Sequence, residues 1–85
     1  MKYTLKPLTL GARMKMNDAF LRQEMFTGWV IACRFGLDTL NDEKVTPDNA
    51  DELISQLSNE QVVEIAEKVA KEANFSKKKN SKSDS

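Results

Sequence analysis

Cys33 is the one side chain in this 85-residue sequence suited to thiolate chemistry, and no histidine is present anywhere to activate it. A catalytic thiolate needs a neighbouring base or cation. Cys33 instead lies in the apolar run Trp29-Val30-Ile31-Ala32-Cys33, where a free cysteine behaves as a small buried hydrophobe. A single cysteine also rules out an internal disulfide and a multi-cysteine metal site. The carboxylates Asp48, Asp51 and Glu52 are the other candidates for chemistry, as oxygen ligands for a hard cation. They follow Thr46-Pro47, however, and acids in a first helical turn are already favoured by the positive end of the helix dipole. Asp42-Glu43 reads as a surface turn. The sequence contains no glycine-rich phosphate loop, zinc-ligand spacing, calcium loop or serine–histidine pair. The expectation is a protein that is not an enzyme and carries no cofactor or metal.

Binding chemistry is better represented. Met14, Met16, Phe20, Met25, Phe26 and Trp29 crowd a short stretch, and all four methionines fall within residues 1–25. Thioether chains repack easily, which suits an adaptable contact surface, although each methionine taken singly also suits a core gap. Trp29 has the same two roles open to it, core anchor or exposed binding anchor. These six residues are the candidate partner-binding set.

The elements that must position them are mainly helical. Lys2 to Thr9 alternates weakly and is interrupted by Pro7, as in an extended arm or short edge strand. From about Leu10 to Met25 strong helix formers recur, though Arg13-Met14-Lys15-Met16-Asn17 also alternates with period two, so a strand competes there. Phe26 to Phe35 is almost wholly apolar, so periodicity alone does not separate a buried helix from a buried strand, and Gly36 decides for the central helix. Gly36 is expected to end it in a left-handed conformation, with Leu37 covering Ile31 or Ala32. Gly28 weakens that helix but permits close approach of a neighbour.

Asp38 to Val45 reads as a polar loop. Thr46 then caps a short helix with Pro47 in its first turn, and Ala50, Leu53, Ile54 and Leu57 form its apolar stripe. Ser58-Asn59-Glu60-Gln61 has the form of a capping box. Val62, Ile65, Ala66, Val69, Ala70 and Ala73 hold the helical period behind it, with Glu64-Lys68 and Glu67-Lys71 as outward pairs. Ser76 to Ser85 is polar and expected to be disordered. The fold class expected is mainly α: a single helical domain over residues 1–75, a small bundle of about four helices with an extended arm at 1–9 and a disordered tail at 76–85.

Net charge is zero but segregated: +4 over residues 1–35, −7 over 36–75 and +3 over 76–85. Such asymmetry fits self-association or docking on a charged partner, and equally two solvated faces of an ordinary domain. The basic residues of the first third are too dispersed for a nucleic-acid patch, so no nucleic acid is expected. No run approaches a membrane span, and Met1 to Leu10 lacks the apolar core and cleavage site of a signal peptide, so a cytosolic protein is expected.

Taken in order, the lead-in Leu5-Lys6-Pro7-Leu8-Thr9-Leu10, the segment ending Met16-Asn17-Asp18-Ala19-Phe20, and the helix closing on Arg34-Phe35-Gly36-Leu37 form a recognisable series. It continues through Asp51-Glu52-Leu53-Ile54-Ser55-Gln56-Leu57-Ser58 and Val62-Val63-Glu64-Ile65-Ala66 to a lysine-asparagine tail. The series resembles the small tail assembly chaperones of long-tailed bacteriophages over most of its length, through loose motifs. The resemblance implies a non-enzymatic helical protein of the host cytoplasm that is left out of the mature virion. Its partners would be the tape measure protein and the tail tube protein, the first kept soluble while tube subunits polymerise around it. Many such chaperones also exist in a longer, frameshifted form. Lys78-Lys79-Asn80 is what a slippery A-AAA-AAC stretch would encode, and a solubilising lysine tail explains the same residues. A helical adaptor or regulator, or a structural tail component, is the alternative.

Overall fold

The computed structural model describes the backbone of residues 1–83 and the side chains of residues 1–72. Four helices, α1 (Leu10–Leu21), α2 (Met25–Gly36), α3 (Ala50–Ser55) and α4 (Asn59–Ser83), pack with three short strands, β1 (Tyr3–Leu5), β2 (Leu37–Leu40) and β3 (Glu43–Lys44). The mainly helical class is as expected. Of the tail expected to be disordered at 76–85, the backbone is described as part of α4 as far as Ser83, and residues 84 and 85 lie outside the described residues.

The stretch that could have been helix or strand, residues 13–17, is helix. Thr9 caps it, its hydroxyl accepting the Ala12 N–H at 3.2 Å, and one orphan donor of the first turn is thereby satisfied. The helix expected to run to Met25 stops earlier, at Leu21. Its end is a Schellman motif: the Glu24 N–H reaches the Ala19 carbonyl at 2.9 Å and the Gln23 N–H reaches the Phe20 carbonyl at 3.0 Å. Gln23 holds the left-handed position, at φ 65°. A non-glycine residue there pays a steric penalty on the order of 1–2 kcal/mol, partly recovered by glycine's larger unfolded-state entropy. Gln23→Gly should therefore raise stability by up to about 1 kcal/mol, read as an increase in the urea midpoint.

The left-handed glycine expected at Gly36 is absent. Gly36 is the last residue of α2 and has no positive φ. Leu37 follows directly in extended conformation, φ −80° and ψ 129°, because the chain passes without a loop from α2 into β2. What requires glycine at position 36 is space. A Cβ built there would stand 2.7 Å from both methyl groups of Val69 on α4. Gly28 lies close against the Phe20 ring of α1, whose edge carbons a Cβ built there would overlap.

The polar loop expected at 38–45 is instead a hairpin. Asn41 and Asp42 both adopt positive φ, 52° and 68°, which is the requirement of a two-residue turn matched to strand twist. Thr39 faces Lys44 and Leu40 faces Glu43 across β2 and β3, and a 2.6 Å ion pair from Lys44 to Asp38 braces the hairpin. That ammonium holds the Asp38 carboxyl below its usual range. The arm at the other edge is a strand, as one of the two expectations had it. β1 pairs antiparallel with β2, Tyr3 to Leu40, Thr4 to Thr39 and Leu5 to Leu37, with a bulge after Thr4. Sheet order is β1-β2-β3.

The two helix starts read from caps stand, one of them shifted. Ser58 and Gln61 bond reciprocally, the Ser58 hydroxyl taking the Gln61 N–H at 3.1 Å and the Gln61 side chain the Ser58 N–H at 2.9 Å. Thr46 and Asn49 form a similar pair. Residues 47–49 are a turn, so the N-cap of α3 is Asn49 and the helix proper begins at Ala50. The core lies where α2 and α4 meet over β2, and Cys33, Leu37 and Ile65 are wholly buried in it.

Candidate functional site

The thiol is inert by construction. Cys33 is fully buried, donates to the Val62 carbonyl at 3.3 Å, and is pushed up from 9.0 to about 12 by burial, opposed in part by the Ala66 backbone N–H. Because its native pKa is raised, the unfolded chain ionises first, so Cys33 stabilises the fold below about pH 9 and that contribution declines as pH rises toward 12. At neutral pH a disulfide reagent such as DTNB should label Cys33 only as fast as the chain opens, and labelling should become complete on adding denaturant. Among the described residues, no group of three or more His, Cys, Asp or Glu could hold a metal ion. No described helix is long and apolar enough to cross a membrane.

What the surface does offer is apolar. The six candidate residues divide between inside and outside. Met16 is 5% exposed and belongs to the core, a correction to its place in the partner-binding set. Phe20 and Trp29 are half-buried against that core, Phe20 with its ring laid over Gly28. Met14, Met25 and Phe26 are exposed, at 63%, 47% and 45%. Met14 and Met16 part company because residues two apart on a helix point about 200° from each other.

Two leucines that the candidate set omitted complete the surface: Leu10 is 65% exposed and Leu21 84% exposed. Leu10, Met14 and Leu21, at i, i+4 and i+11, fall within about 40° of one another on α1. The buried stripe of Ala12, Met16 and Ala19 lies roughly opposite. α1 therefore has two apolar faces, one packed on α2 and one turned to solvent. An amphipathic surface helix needs only the first. The period of the apolar residues carried this signal, since one 100° stripe cannot hold both sets.

The outer stripe is edged by cations. Arg13 lies on one side, and Lys15 and Arg22 on the other, with Arg22 paired to Asp18 at 3.2 Å and Lys15 held 5.5 Å from the Phe35 ring centroid. Beyond the α1–α2 turn, Met25 and Phe26 are also exposed at the start of α2. Phe26 and Val30, one helical turn apart, then form a wall of a second feature, an open groove of about 310 Å³ completed by Ile54 and Leu57 from the α3 region and by Val62 of α4. Asp51, ion-paired to Arg34, stands at its edge.

A larger, polar depression of about 680 Å³ lies around Tyr3, Thr39, Glu64 and Lys68. Its groups are committed to one another: the Tyr3 hydroxyl donates to Glu64 at 3.4 Å and Lys68 sits 5.2 Å from the Tyr3 ring centroid. They tie β1 to α4.

Comparison with known protein families, curated proteins and solved structures finds no match to this chain.

Proposed function

We propose that this chain is a non-enzymatic tail assembly chaperone, a holdase of the host cytoplasm that binds the tape measure protein and tail tube subunits and does not remain in the virion. The observation that supports it is the outward stripe of Leu10, Met14 and Leu21, with Met25 and Phe26 also exposed at the start of α2. Exposed large apolar side chains that share one helix face, with polar residues such as Asn17 among them, mark a candidate interaction surface. A row at i and i+4 spacing is shaped to lie along another helix. A tape measure is a long helical chain with exposed apolar faces, so the two surfaces have the same chemistry.

Co-expression with a tape measure protein of a long-tailed phage tests this. The wild-type chain should hold that protein in the soluble fraction, and Met14→Glu with Leu21→Glu should return it to the pellet. Each side chain buried in the complex is worth about 1.5–3 kcal/mol, so the double variant should weaken binding on the order of 100-fold or more. Both residues are solvent-facing, so the thermal melt of the variant alone should match wild type. Undiminished solubilisation by the double variant would remove the stripe from the mechanism.

A further inference from the structure

We propose that Met14 is a reversible oxidation site, its sulfoxide turning the outer face of α1 from apolar to polar while the fold stays intact. The observation behind it is the contrast between two methionines only two residues apart. Met14 is 63% exposed, whereas Met16 is 5% exposed and belongs to the core. The two thioethers are chemically alike, so access from solvent decides which of them an oxidant reaches. Along α1 Met14 lies between Leu10 and Leu21, and of these three outward side chains it is the one that can be oxidised. Met1 and Met25, at 51% and 47%, are accessible as well, and neither belongs to the buried core cluster.

The oxidant is a peroxide. The Met14 sulfur attacks one peroxide oxygen, the O–O bond breaks as the S–O bond forms, and the other oxygen of hydrogen peroxide leaves as water. Sulfur gives up two electrons and the peroxide takes them. An apolar side chain thereby becomes a polar, chiral one. At a solvent-facing position the new S–O group stays hydrated, so it costs the fold little, whereas the same group at Met16 would be buried and destabilising. A methionine sulfoxide reductase reverses the step, two thiols passing to a disulfide while the sulfoxide oxygen leaves as water. The consequence for function rests on the holdase reading above: an oxidised face no longer matches an apolar helix, so the partner is released until the sulfoxide is reduced.

Hydrogen peroxide treatment of the purified full chain tests the proposal, with peptide mass mapping to locate the added oxygen and retention on a phenyl column to read the outer face. Met14 should oxidise on the order of tenfold or more faster than Met16, and denaturant should abolish the difference. Chain oxidised at Met14 should keep the circular dichroism and thermal melt of untreated chain. Its retention should fall, and the pair of epimer-specific sulfoxide reductases should restore it. Met14→Leu, treated in the same way, should lose markedly less of its own retention. Equal rates at Met14 and Met16 in the folded chain would overturn the proposal, as would a lowered melt or an equal loss of retention by Met14→Leu. None of these readouts contains a tape measure protein, so they are decided separately from the holdase test. Where untreated chain does hold a tape measure protein soluble, oxidation should weaken that binding on the order of 10-fold, and undiminished solubilisation by the oxidised chain would overturn the release.

Discussion

Ile65→Ala is expected to remove about 2–5 kcal/mol of folding stability and to lower Tm on the order of 10–30 °C. Ile65 is 0% exposed, and with Leu37 and Cys33 it is among the largest side chains that the fold buries completely. It sits on the α4 stripe of Val62, Ile65, Ala66 and Val69, all buried. That stripe faces the part of α2 built from Ala32, Cys33 and Gly36, of which Gly36 meets Val69 and Cys33 bonds to the Val62 carbonyl. Small residues already bring the backbones close, so little remains that can move in to fill a vacated side chain. The cavity term then adds to the lost transfer term. A domain of this length holds about 4–13 kcal/mol in all, so one substitution removes a large share of it. Urea unfolding should show a lower midpoint with an unchanged slope. Leu21→Ala is the matched control, since at 84% exposure it should stay within about 0.5 kcal/mol of wild type.

The contrast between those two residues marks where sequence reasoning succeeds and where it does not. The α4 stripe is legible because Val62, Ile65, Ala66 and Val69 repeat with the helical period behind a complete capping box. The Thr46-Pro47 start is legible for a similar reason, although residues 47–49 form a turn and the helix proper begins at Ala50. The hairpin is not. β2 and β3 are four and two residues long, too short for alternation to register, and the other neighbour of β2 is β1, distant in sequence at Tyr3–Leu5. The Asn41-Asp42 turn carried the only local signal, a pair of residues tolerant of positive φ. Nothing local announced the end of α1 either, because the left-handed residue is a glutamine and the geometry is imposed by packing α2 back on α1.

The candidate surface follows the same division. Composition pointed to a segment in which Met14, Met25 and Phe26 are exposed. It could not separate Met14 from Met16, because that distinction exists only once the segment is known to be helical and one face is assigned to the core. Leu10 and Leu21 escaped notice because leucine on a helix is ordinarily core. Only the double-faced pattern of α1 makes them informative.

Gly36→Ala is expected to destabilise the wild-type chain by up to about 2 kcal/mol, yet to become neutral or stabilising when Val69 is also changed to alanine. Two effects of opposite sign meet at this position. Alanine in place of a helical glycine gains roughly 1 kcal/mol, whereas an added methyl in a filled core costs about 1–3 kcal/mol. Val69 decides which prevails. The added Cβ would lie 2.7 Å from both of its methyl groups and 3.2 Å from its own Cβ, and a β-branched side chain in a helix has essentially one rotamer available. Rotation cannot relieve the clash, so the helices must part. Val69→Ala removes both methyl groups and leaves room for the new one, and the propensity gain is then free to appear. Gly28→Ala is the internal comparison. There the obstacle is the outer edge of the Phe20 ring, on a half-buried side chain that can swing away, so the penalty should be smaller. A double-mutant cycle on Gly36 and Val69 followed by chemical denaturation should return a favourable coupling of at least about 1 kcal/mol. Additivity would mean that α2 and α4 do not depend on this contact for their spacing, and that glycine at 36 serves some other need.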